Sequence, residues 1–280
     1  MSQRQLPIGV FDSGVGGLTV ARALRERMPN EDILYLGDTA RVPYGTRSPQ
    51  TVDRYAQRVA GHLLRRGIKA LVVACNTATT YALSSLTEAG ARHGIPVVGV
   101  IEPGVSAALA TGGTHIGIIG TEGTIRGGAY THHLGRLAPQ IKISEVACPL
   151  FVSLAEEGWT DGDIARAVAV RYLECLKGGP DTLILGCTHY PLLSGAIASA
   201  LPGVTLVDSA TSTAAAVARV LTDSDLLSSS GSGTTRFLVT DNHQRFIEVG
   251  TRFLGTPPHP TELIDLDDQD QAAWSTEVNS

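Results

Sequence analysis

Short apolar runs alternate along the chain with longer stretches in which apolar positions recur every three to four residues. The runs Ile8–Phe11, Ile33–Leu36, Leu71–Ala74, Val97–Val100, Ile116–Ile119, Ile141–Val146, Leu183–Leu185 and Thr205–Val207 predict strands. Most are rich in Val, Ile or Leu throughout, as strands covered on both faces are. Between them, Val52–Arg66 places Val52, Tyr55, Ala56, Val59 and Leu63 on one helical face, and Leu18–Met28, Ser84–His93 and Ile164–Leu176 read alike. Strand–helix alternation of this kind builds βαβ units and a mostly parallel sheet. Thr211–Leu221 predicts a further helix and Asp223–Thr235, with its Ser-Ser-Ser-Gly-Ser-Gly run, a loop. Phe237–Thr240 predicts a last strand and Arg245–Leu254 a short helix.

Two strand patterns recur in the same order. Ile8-Gly-Val-Phe-Asp-Ser-Gly resembles Ile116-Gly-Ile-Ile-Gly-Thr-Glu-Gly, and Ala70-Leu-Val-Val-Ala-Cys-Asn-Thr resembles Thr182-Leu-Ile-Leu-Gly-Cys-Thr-His. Ile8 to Cys75 is 67 positions and Ile116 to Cys187 is 71. Matching order at similar spacing predicts two related α/β domains, which 280 residues can accommodate.

Composition narrows the function. A formal charge of −5 offers no basic stripe for a nucleic acid. Hydrophobic residues at 43% supply a real core, yet no run of 18 apolar residues would span a membrane. The start, Met1 to Val10, carries no apolar signal region. The four cysteines, Cys75, Cys148, Cys175 and Cys187, have no CxxC spacing. These features lead us to expect a soluble protein of a reducing cytoplasm. From Asp265 the chain turns acidic and core-poor, which predicts a flexible tail over residues 265–280.

In a parallel sheet, function sits at the C-terminal strand ends. Four such ends are chemically unusual. Asp12-Ser13-Gly14-Val15-Gly16-Gly17 lets the backbone approach a ligand, or simply caps a helix. Gly37-Asp38-Thr39-Ala40-Arg41-Val42-Pro43-Tyr44-Gly45 reads by itself as a surface loop in which Tyr44 offers a hydroxyl. Cys75-Asn76-Thr77 and Cys187-Thr188-His189 each put a thiol beside small polar donors, and a helix starting there would favour the thiolate. A buried cysteine is commonly inert, and Cys148 and Cys175 are read that way. No spaced ligand cluster points to a metal. Two thiols at equivalent ends of a repeat fit one reaction well: inversion of a weakly acidic carbon, with a base on one face and an acid on the other. Asp12 and His189 are placed to tune the two thiols.

Together, Asp12-Ser13-Gly-x-Gly-Gly, Gly37-Asp38 with Pro43-Tyr44-Gly45, Ala74-Cys75-Asn76-Thr77-Ala78 and Leu185-Gly186-Cys187-Thr188-His189-Tyr190-Pro191 resemble the signatures of bacterial glutamate racemases, in the aspartate/glutamate racemase family. The likeness runs from about Ile8 to Asp208. It implies two similar three-layer α/β/α domains related by a pseudo-twofold, with the site in the cleft between them. It implies a cofactor-independent enzyme that interconverts L- and D-glutamate, supplies D-glutamate for peptidoglycan and forms a homodimer. Cys75 and Cys187 would be the acid/base pair, Asp12 assisting the first and His189 the second. Phe151-Val-Ser-Leu-Ala-Glu156-Glu157-Gly158 matches a further family pattern, in which Glu156 (with Glu157 adjacent) would support His189. Ser153 stands where members often carry proline. Asp12, Ser13, Pro43, Tyr44, Gly45, Asn76, Thr77 and Thr188 would hold the substrate. The resemblance also implies a domain division into residues 1–98 with 208–264, and 99–207. Relatives acting on aspartate, hydantoins or malonate-like acids share this layout. A binding protein closing on an amino acid would share it too, but would have no need of both thiols.

Overall fold

In the computed structural model, which describes residues 3–230 and 233–275, the strands fall into two wholly parallel sheets. The strands are β1 (Ile8–Asp12), β2 (Ile33–Gly37), β3 (Ala70–Val73), β4 (Val97–Gly99), β5 (His115–Gly120), β6 (Lys142–Ala147), β7 (Thr182–Gly186), β8 (Thr205–Asp208), β9 (Thr235–Val239) and β10 (Thr261–Leu263). The helices are α1 (Leu18–Arg27), α2 (Pro49–Arg65), α3 (Asn76–Arg92), α4 (Ile101–Ala110), α5 (Glu122–Gly127), α6 (Ala129–Leu137), α7 (Leu150–Glu157), α8 (Gly162–Leu173), α9 (Ser194–Ala200), α10 (Ala210–Asp223), α11 (His243–Leu254) and α12 (Asp268–Ser275). None of the described helices is long and apolar enough to cross a membrane.

The six-stranded sheet runs β10-β9-β2-β1-β3-β4 and the four-stranded sheet β6-β5-β7-β8. The repeat read in the sequence is visible here. The inner order β2-β1-β3-β4 is matched strand for strand by β6-β5-β7-β8, so β1 corresponds to β5 and β3 to β7. Cys75 and Cys187 therefore follow equivalent strands.

Strand alternation explains why so many positions are apolar. On β1, Ile8 and Val10 face one core while Phe11 faces another. On β7, Leu183 and Leu185 face the first core and Ile184 a third, shared with α4 and α6. The first core draws residues from both sheets and joins them into one packed body. Helix α2 has proline at its first turn and Ser48 as its cap, whose side chain accepts from the Thr51 N–H. It buries Val52, Ala56, Val59 and Leu63 against the six-stranded sheet.

Some expectations change. Helix α3 starts at Asn76, eight residues before Ser84. Its polar first turns, Asn76-Thr77-Ala78-Thr79-Thr80, are poor helix formers by themselves, but Asn76 to Thr79 are buried and held by tertiary contacts. Strand β10 has no apolar signature and takes its place by pairing with β9. Of the stretch Asp223–Thr235 read as a loop, residues 231–232 lie outside the described residues.

The acidic stretch from Asp265 is not a flexible tail as far as Ser275. Asp268–Ser275 is helix α12, which lies on α2, with Trp274 fully buried. Asp270 is also buried, accepting from Arg65 at 3.0 Å and meeting His62 Nδ1 at 3.2 Å. Gly61 makes the close approach possible, because a Cβ there would collide with the Asp270 carbonyl. The acidic composition concealed one tryptophan and one carboxylate with partners elsewhere in the chain. Residues 276–280 of that stretch lie outside the described residues.

Candidate active site

A small cavity opens where the C-terminal ends of β1 and β3 meet those of β5 and β7. Asp12, Ser13, Pro43, Tyr44, Gly45, Cys75, Asn76, Thr77, Cys187, Thr188 and His189 all line it. The sequence-predicted residues thus converge, with one exception. Glu156 stands behind His189 and does not line the cavity.

The first thiol follows β3 and caps α3. Cys75 Sγ accepts from the Ala78 N–H at 3.4 Å and lies 3.6 Å from Ser13 Oγ. The sequence led us to expect a helix N-terminus that favours its thiolate; the structure reverses this. Burial pushes the Cys75 thiol up to about 12, and the neighbouring Asp12 adds to the shift against the two hydrogen bonds. Asp12 is itself buried, which raises its carboxyl above the ordinary value even though His189 and the Gly14 N–H, 2.9 Å from Oδ2, work the other way. Cys75 thus rests as a neutral thiol beside a carboxyl group.

The second thiol has a different setting. No α-helix begins at Cys187; a short 3-10 turn, Tyr190–Leu193, follows instead. Cys187 Sγ lies 3.8 Å from His189 Nδ1, and Glu156 Oε1 lies 3.0 Å from His189 Nε2. Burial alone would lower the imidazole, but its bonds to Cys187 and Glu156 outweigh that and raise it to about 10. Glu156 shows the converse. Its own burial raises it, yet the bond to His189 holds it below the ordinary carboxylate range. Glu157 turns away and pairs with Arg245 at 2.7 Å. The Glu156 backbone carbonyl accepts from Arg252 on α11.

The loop after β2 closes one wall. Asp38 is fully buried and accepts from the Tyr44 hydroxyl at 2.7 Å, Arg41 at 2.8 Å and Thr240 Oγ1 at 2.9 Å. It is therefore the clamp of this loop, and the segment is no plain surface loop. Gly45 lies against Thr121, where a Cβ would stand 2.8 Å from that side chain. Across the cavity, Thr77 Oγ1 is 2.9 Å from Thr121 Oγ1, a hydrogen bond joining the first turn of α3 to the start of α5.

Three lining residues escaped the sequence reading: Val42, Thr121 and Val152. Thr121 had a signal, because the repeat aligns it with Ser13. The two valines carried none, since apolar loop and helix residues look alike before folding. Cys148 is buried, and Cys175 is exposed in the 3-10 turn Glu174–Leu176; neither lines the cavity. Among the described residues, no group of three or more His, Cys, Asp or Glu side chains is gathered as a metal site would require.

A family model for Asp/Glu/Hydantoin racemases matches residues 18–217. The chain is 52% identical over 252 residues to the glutamate racemase of Geobacter metallireducens, covering 89% of this chain and 92% of that one. Among solved structures, the glutamate racemase of Francisella tularensis in complex with D-glutamate superposes with a TM-score of 0.89 at 39% identity, over 94% of this chain and 99% of that one. The glutamate racemase of Thermus thermophilus in complex with beta-chloro-D-alanine gives a TM-score of 0.84 at 47% identity, over 94% and 98%.

Proposed function

The chain belongs to the Asp/Glu/Hydantoin racemase family, and we infer that it is an isomerase interconverting L- and D-glutamate, with Cys75 and Cys187 as its two acid/base residues. The observation that carries the mechanism is that the cavity is lined by one thiol from each half of the repeat. The lobes formed by residues 1–98 with 208–264 and by residues 99–207 each contribute one wall.

The substrate's α-carbon lies between the two sulfurs. One thiolate removes the α-proton from its face, and the electron pair is left on the α-carbon and its carboxylate. The opposite thiol then delivers its proton to the other face. After turnover the protonation states are exchanged, so the same site runs in both directions. A single base would tend to return the proton to the face it left.

The two surroundings divide the work. The His189 imidazolium, held by Glu156, is the counter-ion for a Cys187 thiolate. Cys75, pushed up by burial and Asp12, starts as the proton donor. When the reaction runs the other way, a desolvated Cys75 thiolate is correspondingly a strong base. Asp12, Ser13, Tyr44 and the Pro43–Gly45 backbone hold the ammonium group and one carboxylate. Asn76, Thr77 and Thr188 hold the other, aided by the N-terminus of the long helix α3.

The reaction proceeds without pyridoxal phosphate, metal or other cofactor. The enzyme works in the cytoplasm as a homodimer, and its D-glutamate feeds peptidoglycan synthesis. Purified protein with no additive should convert L-glutamate to D-glutamate, followed by circular dichroism, and should leave L-aspartate unchanged. Turnover of aspartate in place of glutamate would contradict the substrate assignment. Light scattering at twice the chain mass tests the dimer.

A further inference from the structure

Beyond the residues that line the cavity, one buried side chain touches the neighbours of both thiols. Tyr130 on α6 is 1% exposed. Its hydroxyl donates to Asn76 Oδ1 at 2.7 Å, and Asn76 directly follows Cys75. Its ring covers Gly186, which directly precedes Cys187; a Cβ on that glycine would stand 3.1 Å from Tyr130 Cε2. Ser209, itself buried at the point where the chain leaves β8, sits nearby, the two side chains meeting over Gly104. With its proton given to Asn76, the phenol is satisfied as a donor.

Asn76 is not. It lines the cavity, and its Nδ2 is buried with no hydrogen-bond partner among the described residues. A buried amide donor without a partner is costly, and sites that carry one commonly put it to use. We propose that Tyr130 is a positioning residue: by holding Oδ1 of Asn76, it leaves Nδ2 as the donor offered to a carboxylate of the substrate. This rests on the racemase reading and adds to it a residue outside the cavity.

The physical reason lies in the near symmetry of a carboxamide. Rotated by half a turn, Asn76 would present its carbonyl oxygen to an anionic carboxylate and repel it. The hydroxyl of Tyr130 discriminates between the two orientations as long as it keeps its proton. Burial holds that phenol well above its ordinary value, so it remains a donor across the working range of the enzyme.

Because the effect acts through Asn76, it falls on binding rather than on proton transfer. Tyr130→Phe should raise KM for both enantiomers about tenfold and lower kcat less than about threefold. In a double-mutant cycle with Asn76→Ala, Tyr130→Phe should add little to the KM of the single Asn76 variant. A residue that merely fills space would instead multiply its effect with that of Asn76→Ala, and that outcome overturns the proposal. Unchanged KM in Tyr130→Phe overturns it as well. Wild-type protein that fails to racemise glutamate would sink the reading beneath it, a result distinguishable from either of these.

Discussion

Glu156 reaches His189 with its Oε1 3.0 Å from Nε2, while the opposite ring nitrogen faces Cys187 at 3.8 Å. A carboxylate, an imidazolium and a thiol therefore lie in a row, with the outermost charge on α7 and the reactive atom at the cavity wall. The row explains how a fully desolvated imidazole is held at about 10.

The sign of its pH effect follows. The Glu156 charge favours the imidazolium, so removing it lowers the His189 value. Glu156→Gln keeps a hydrogen-bond acceptor and loses the charge. The imidazolium is then lost at lower pH, and the alkaline limb of kcat/KM should move down by roughly one unit. A pH–rate profile of the variant checks this; an unmoved limb separates Glu156 from the chemistry.

On the proposed two-thiol mechanism, each thiol serves its own face. Cys75→Ser and Cys187→Ser should each lower kcat for racemisation by at least about 100-fold. Calorimetric titration should still show glutamate binding, because the carboxylate-holding groups are untouched. Full turnover by either variant would contradict a two-base mechanism.

Gly16 is required by a close approach. A Cβ at this position would collide with Thr188 and with the His189 ring. Gly16→Ala should push both groups from their positions, destabilising the protein by roughly 1–3 kcal/mol. It should also lower kcat/KM by more than about tenfold, since a small misplacement of the acid/base group is amplified in rate. Thermal melting and steady-state kinetics report the two effects separately.

Helix α12 is an integral part of the packing around α2 and α3. Trp274 lies fully buried against α2 and α3, its ring near His93 at 5.7 Å between centroids. Trp274→Ala should cost about 3–5 kcal/mol in urea unfolding, with KM little changed. A loss below about 1 kcal/mol would mean that the helix rests loosely on its neighbours.

How far the sequence foretold this structure depends on the range of the interactions involved. Strand positions such as Ile8–Phe11 and Ile33–Leu36 were legible because each is a short apolar run, and the Cys75/Cys187 repeat was legible because symmetry preserves spacing. Helix α3 was half hidden, since its first turns are made of Asn and Thr stabilised only by tertiary contacts. Helix α12 was hidden entirely: its acidic composition says solvent, while Asp270 and Trp274 have partners some 200 positions away. Which residues would converge on one cavity was readable, but protonation was not. Whether Cys75 ionises easily depends on burial and on Asp12, and a sequence displays neither. Thr121 could have been found from the repeat, through its alignment with Ser13, whereas nothing short of the fold places Tyr130 against Asn76.

Two thiols acting on opposite faces of one carbon leave an isotopic signature, read from L-glutamate incubated with the enzyme in D₂O and sampled early. With two monoprotic bases, the D-glutamate formed should carry deuterium at the α-carbon while the remaining L-glutamate stays largely protiated. Deuterium appearing equally in both enantiomers from the outset, or product that retains the original α-proton, would contradict two-thiol action.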